Sequence, residues 1–135
     1  LSDLSEYEFK KLHTFGRQLG LAFQVVDDIL DFTSNDQQLG KPAASDLATG
    51  YLTAPALYAL EEKPALATLI DREFSSSGDL EEALELVRNS NAISRTRNLA
   101  EKFAKDSRDA IDWLPESPYR TALMQLPDFV LSRLY

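Results

Sequence analysis

Leu19-Gly20-Leu21-Ala22-Phe23-Gln24-Val25-Val26-Asp27-Asp28-Ile29-Leu30-Asp31-Phe32 sets three carboxylates into an otherwise apolar run. At 3.6 residues per turn, Asp27 and Asp31 stand at i and i+4, Asp28 and Asp31 at i and i+3, and Gln24 falls one turn earlier on the same side. Leu21, Ala22, Phe23, Val25, Val26, Ile29 and Leu30 cover nearly every other direction, which is the pattern of an interior helix. On that reading the acids line a cavity or groove. Like charges one turn apart cost about 0.2–0.5 kcal/mol each even on an exposed helix, and burying an unpaired carboxylate costs more. A hard cation relieves both. Clustered carboxylates with no Cys or His beside them suit Mg²⁺, which takes one or two carboxylates and completes its shell with waters and substrate phosphates. The cluster reads as a metal bridge to a phosphorylated ligand. The competing reading is that Asp27-Asp28 only opens a helix, where acids favour the first turn; the apolar run on its N-terminal side argues against that.

Outward from this stretch, the apolar positions Phe9, Leu12, Phe15, Leu19, Phe23 and Val26 recur at helical spacing. They extend the helix back to a start at Ser2 or Ser5, with Glu8 as the capping-box partner of Ser5. His13 has no carboxylate or second His in its pattern and reads as structural. On the other side, residues 33–44 are polar and rich in loop formers. Lys41 lies there between Gly40 and Pro42, where the following Pro favours extended backbone. Its ammonium is either a plain ion-pair partner for the acids or a compact charge closing over a phosphate. Asp36 reads as a solvated loop acid and Asp46 as a helix-start acid.

The remainder predicts more helices and no strands. Thr53-Ala54-Pro55 is a cap followed by an early-helix proline, opening a helix to about Glu62. Pro64 starts another toward Phe74. After the short hinge Ser75-Ser76-Ser77-Gly78, Asp79 with Glu82 forms a cap signal for a helix to about Arg88. Ile93, Arg97, Ala100, Phe103, Ala104, Ser107, Ala110, Ile111 and Leu114 trace a mostly apolar stripe over several turns. Glu101/Lys105, Lys102/Asp106, Lys105/Asp109 and Arg108/Asp112 are i, i+4 pairs for its solvated face. Ser117 with Pro118 restarts a helix in which Tyr119, Leu123, Leu126, Val130 and Leu134 are expected inward and Pro127 is expected to kink or interrupt. The fold class is all-α.

With 135 residues the chain has room for one domain. A net charge of −8 argues against nucleic acid and against general attraction to anionic membranes. The sequence has no cysteine and one histidine, which removes thiol chemistry and His-rich metal sites. No run approaches the length of a membrane span. The chain opens on Leu1, not Met, and is expected to be a piece of something longer.

Gly20 to Asp31, followed by Gly40-Lys41-Pro42 and Asp46-Leu47, resembles the second aspartate-rich motif of trans-type polyprenyl diphosphate synthases. Gly50-Tyr51-Leu52-Thr53-Ala54-Pro55 and Leu131-Ser132-Arg133-Leu134-Tyr135 are similar to the solanesyl diphosphate synthases of oxygenic phototrophs. The likeness runs over essentially the whole chain, with the Phe-Gln-x-x-Asp-Asp-x-x-Asp and Gly-Lys elements specific and the tail softer. Tyr51 departs from the Lys that many long-chain synthases carry there, a difference the phototroph subgroup shares.

The resemblance implies a helical bundle of the isoprenoid synthase type, of which residues 1–135 are the C-terminal part. It implies that an allylic diphosphate is held through Mg²⁺ between two aspartate-rich motifs and condensed with isopentenyl diphosphate, giving a long-chain, solanesyl-type product for quinone side chains such as plastoquinone. Asp27 is then the principal metal ligand, with Asp28 and Asp31 completing that side directly or through water. Lys41 holds the substrate diphosphate, Phe23 and Gln24 face the allylic carbons, and Asp46 stands near the metal region. Arg133 either reaches a diphosphate or is a surface arginine. The first aspartate-rich motif and the isopentenyl diphosphate residues lie upstream in the family and have no counterpart here. The chain alone is therefore expected to have little or no synthase activity, and to need a missing N-terminal half or a second synthase chain. The resemblance further implies a homodimer when full length, in a cyanobacterial cytoplasm or the plastid stroma. A non-catalytic subunit of a heteromeric synthase and a bare helical interaction module are the alternatives.

Overall fold

The computed structural model describes residues 3–34 and 44–135. Among these the secondary structure is helical throughout: α1 (Glu6–Thr33), α2 (Ser45–Ala48), α3 (Ala54–Glu62), α4 (Ala65–Asp71), α5 (Asp79–Arg88), α6 (Ala92–Ala110) and α7 (Pro118–Ser132). The expected all-α class holds. Lys41, Asp36 and the alternative cap Ser2 lie outside the described residues. The chain divides into two compact units, one of Leu1–Val26 with Asn98–Tyr135 and one of Asp27–Arg97.

In the first unit, α1 starts as a reciprocal capping box. The Glu8 carboxylate accepts from Ser5 N and Ser5 Oγ at 2.7 Å each, and Glu8 N donates back to Ser5 Oγ. These bonds, the Ser5 hydroxyl foremost, hold the Glu8 carboxyl below its ordinary range. Phe15 from α1 packs with Ala110 and Ile111 at the end of α6, and Leu12, Leu19, Leu123 and Met124 close around them. On α6 the Lys102–Asp106 and Lys105–Asp109 pairs form as expected, at 2.7 and 2.6 Å. Arg108 instead reaches Asp128 on α7, and Asp112 takes Arg120. A cross-helix partner was within reach of both, so the local spacing lost.

α7 opens with Ser117, whose hydroxyl accepts from Arg120 N at 3.1 Å, and Pro118 occupies the first turn as predicted. Its inward face differs from expectation. Tyr119 is 83% exposed and Leu126 41%, whereas Pro127 and Val130 are buried. Arg120 takes the inward place, with a side chain only 18% exposed, held by Asp112 and Glu116. This shifts the buried arc by part of a turn, away from Tyr119 and Leu126. The helix runs on through Pro127 without interruption.

The second unit is built on Phe32, Leu47, Ala56, Ala59, Leu66, Leu69, Ala83, Val87 and Ala92, side chains from α1 to α6 that pack into one core. Arg88 donates to the Phe32 carbonyl at 3.2 Å and so serves one of the free carbonyls at the end of α1. Thr53 precedes α3 in extended geometry, but its hydroxyl is buried with no hydrogen-bond partner among the described residues; the expected side-chain cap does not form. α4 stops at Asp71, short of Phe74, because Glu73 and Phe74 turn left-handed at φ 54° and 52°. Arg95 joins α6 to α3: its guanidinium bonds Glu61 at 2.6 Å and Glu62 at 3.3 Å and stacks 4.1 Å from the centre of the Tyr58 ring.

Asp79 was expected to open α5 with Glu82, but Gly78 precedes the helix in left-handed geometry. The Asp79 carboxylate is buried and accepts from Arg72 through both oxygens and from Ser76 N at 3.0 Å. A planar fork one short loop away outcompetes a local cap. The Arg72 bond, more than the others, holds the Asp79 carboxyl below its ordinary value. A depressed folded-state pKa contributes stability that is present above the unfolded pKa of about 3.9 and is lost as pH falls through the folded one. Asp79→Asn is therefore expected to lower the urea midpoint at pH 7, and to differ less from wild type by pH 3. Equal losses at both pH values would contradict the pairing.

Candidate functional site

Asp27, Asp28 and Asp31 sit in the last two turns of α1, in the second unit. Of the apolar positions expected inward around them, Ala22, Val25, Val26 and Ile29 are buried and Leu21 and Leu30 are half-buried; Phe32, one turn on, is fully buried as well. They seat the helix firmly, so the acids between them are held on one face by the backbone. Asp28 is itself buried, at 7% exposure, and Asp27 and Asp31 are half-buried. None of the three residues is fully exposed.

Asp31 is tied to the chain that follows the helix. Its Oδ1 accepts from Ser45 Oγ at 2.9 Å and its Oδ2 from Asp46 N at 3.3 Å, while its carbonyl accepts from Ala44 N at 2.8 Å. Sequence reasoning placed Asp46 near the acids but missed Ser45. A Ser-Asp pair at the start of a short helix was the available signal, and it reads equally as an ordinary cap.

Phe23 and Gln24 lie on α1 in the first unit, and both are exposed there, Phe23 at 47%. The helix that sequence made apolar nearly all round thus shows one open side, carrying Gly16, Gly20, Phe23 and Gln24. Arg133 is half-buried and lays its guanidinium over the Phe23 ring, 4.7 Å from the centroid, a cation–π contact. The sequence alternatives for Arg133 did not include this. His13 is exposed. A cavity of about 500 Å³ in the second unit is lined by Thr49, Gly50, Leu52, Ile70, Glu73 and Phe74, with none of the predicted site residues in its wall.

Among the described residues no three His, Cys, Asp or Glu side chains are grouped so that they could hold a metal ion together. A buried carboxylate beside a half-buried one, all donors oxygen, is nonetheless a set that fits a hard divalent ion of the Mg²⁺ kind. Such an ion takes one or two carboxylates and leaves its other positions to water and phosphate. No described helix is long and apolar enough to cross a membrane.

The sequence model of the polyprenyl synthetase family matches residues 1–87. A prenyl transferase of Synechocystis is 51% identical over the whole chain, which covers 42% of that protein. Solanesyl diphosphate synthase 2 of Arabidopsis chloroplasts is 48% identical over 93% of the chain and 30% of its own length. Among solved structures, heptaprenyl diphosphate synthase from Staphylococcus aureus superposes with a TM-score of 0.85 at 32% identity, over 91% of this chain and 39% of that one. A polyprenyl synthase from Caulobacter crescentus, complexed with calcium and isoprenyl diphosphate, gives 0.82 at 34% identity, over 96% and 41%. The chain thus spans less than half the length of each of these relatives. The family match over residues 1–87 includes the acidic face of α1, and together with these likenesses it makes the chain a member of the polyprenyl synthetase family.

Proposed function

We propose that this chain is the part of a long-chain prenyl diphosphate synthase that binds the diphosphate of the allylic substrate. The observation that carries the proposal is the acidic face of α1, where Asp27, Asp28 and Asp31 set three carboxyl groups among buried apolar side chains. Asp27 is the principal ligand of Mg²⁺, Asp28 adds a direct or water-mediated contact, and Asp31 adds charge to the face. Bound Mg²⁺ supplies charge neutralisation to the departing diphosphate. Lys41 holds that diphosphate as a second, protein-borne positive charge. Phe23 and Gln24 border the allylic carbons, where an aromatic face tolerates developing positive charge. Isopentenyl diphosphate is the co-substrate, and the product is of the solanesyl type, serving quinone side chains. The likeness to a chloroplast solanesyl diphosphate synthase supports that product class, and a cyanobacterial relative beside a chloroplast one supports a place in a cyanobacterium or a plastid; within these we infer the cytoplasm or the stroma. A first aspartate-rich motif is to be supplied by an N-terminal half or by a second synthase chain, and the complete enzyme is a homodimer.

Calorimetric titration with Mg²⁺ in the presence and absence of inorganic pyrophosphate tests this reading. Metal uptake that depends on pyrophosphate is expected, together with negligible turnover of the two diphosphate substrates by the purified chain. An interaction module gives no pyrophosphate-dependent uptake, and robust turnover by the chain alone would refute the division into two metal-binding halves.

A further inference from the structure

α2 begins without an internal cap. Ala44 precedes it in left-handed geometry, φ 57°, and offers no side-chain acceptor to the first turn. An alanine in that region costs about 1–2 kcal/mol and persists where its surroundings over-determine it. Those surroundings are the apolar core of the second unit and the polar groups of Asp31. Ala44 is fully buried and its N–H is held by the Asp31 carbonyl, while the next two residues donate to the Asp31 carboxylate, Ser45 through its hydroxyl and Asp46 through its amide. Three consecutive residues are thus tied to one residue of α1. Beyond the amide, the Asp46 carbonyl accepts from Tyr51 N at 2.9 Å and from Thr49 Oγ1 at 2.9 Å, so the turn fixed by Asp31 also orders the chain as far as Tyr51.

We propose that Asp31 is a positioning residue whose carboxylate clasps the start of α2 and fixes how Asp46 is presented beside the acidic face of α1. This distinguishes it from Asp27 and Asp28, to which the holding of an ion falls. That second clause rests on the proposed function; the clasp does not.

Amide hydrogen exchange of the full chain, followed residue by residue by NMR, tests it. Asp31→Ala removes both carboxylate acceptors and is expected to speed exchange at Asp46 by about tenfold or more, with Ile29 and Val87 amides unchanged. Asp31→Asn keeps one carbonyl oxygen and an amide that the Ser45 hydroxyl can turn to meet, so Asp46 is expected to stay within about threefold of wild type. Rescue by Asn marks a clasp; a metal ligand needs the carboxylate. Asp46 exchange unchanged in Asp31→Ala, or equally fast in Asp31→Asn, overturns the proposal. Should Asp31→Ala fail to fold, Ser45→Ala decides with Asp31→Asn: a few-fold faster exchange at Asp46 alone is expected, and a wild-type rate sinks the clasp. If the wild-type chain takes up no Mg²⁺ with pyrophosphate, the proposed function fails, while the exchange comparison still decides the clasp.

Discussion

Replacing Asp27 with Ala is expected to abolish pyrophosphate-dependent Mg²⁺ uptake by this chain and, in a complete synthase, to lower kcat/KM on the order of 10³-fold. The size comes from what the residue is asked to do. A metal that neutralises a departing diphosphate contributes several kcal/mol to the transition state, and each 1.4 kcal/mol is about a factor of ten. Asp27 is half-buried on a helix whose inward side is already filled by Val26 and Ile29, so its truncation removes charge and leaves the packing in place. Circular dichroism and the urea midpoint are expected to stay near wild type. Asp31→Asn is the internal comparison: it keeps uptake where Asp27→Asn loses it. An Asp27→Ala chain that binds Mg²⁺ and pyrophosphate like wild type would end the metal reading of this face.

The second large effect concerns stability. Phe32→Ala is expected to destabilise the fold by about 3–5 kcal/mol, the range for deleting a fully buried aromatic ring, against a total of about 5–15 kcal/mol for a domain of ordinary size. Phe32 is wholly enclosed in the core of the second unit, and its carbonyl is the acceptor of Arg88. Removing the ring empties a space that Leu47, Leu66 and Val87 fill only in part. Phe23→Ala is the contrast. That ring is half open, and its loss is expected to cost about 1 kcal/mol or less, mostly the contact with Arg133. Urea melts of the two variants side by side check both. Equal midpoints would mean that Phe32 does not carry the packing described.

Much of this was legible in residue order because it depends on spacing. The helical period placed Ala22, Val26 and Ile29 inward and left the acids on one side, and the Ser5/Glu8 and Ser117/Pro118 signals marked two helix starts. The misreadings arose where the deciding partner lies outside the local pattern. Asp79 reads locally as a cap, but Arg72 offers a forked partner and takes it. Arg108 reads as the partner of Asp112, but Asp128 and Arg120 divide them. Tyr119 and Leu126 read inward because an apolar side chain at the right interval is indistinguishable from a core one until a half-buried guanidinium, Arg120, claims the arc. At the site the same limit applies: three acids announce themselves, but that one of them is engaged with Ser45 could only be seen once the chain had turned back.

Arg95 carries a consequence for how sequence change at this position is to be weighed. Its guanidinium meets Glu61 and Glu62 at once while standing over the Tyr58 ring, with Asn91 N further bonded to Glu62 at 2.9 Å. A lysine would preserve the formal charge yet offer a single point in place of a plane, satisfying one carboxylate and abandoning the ring. An exchange usually scored as mild is here a change of geometry, and tolerance at position 95 depends on shape before sign.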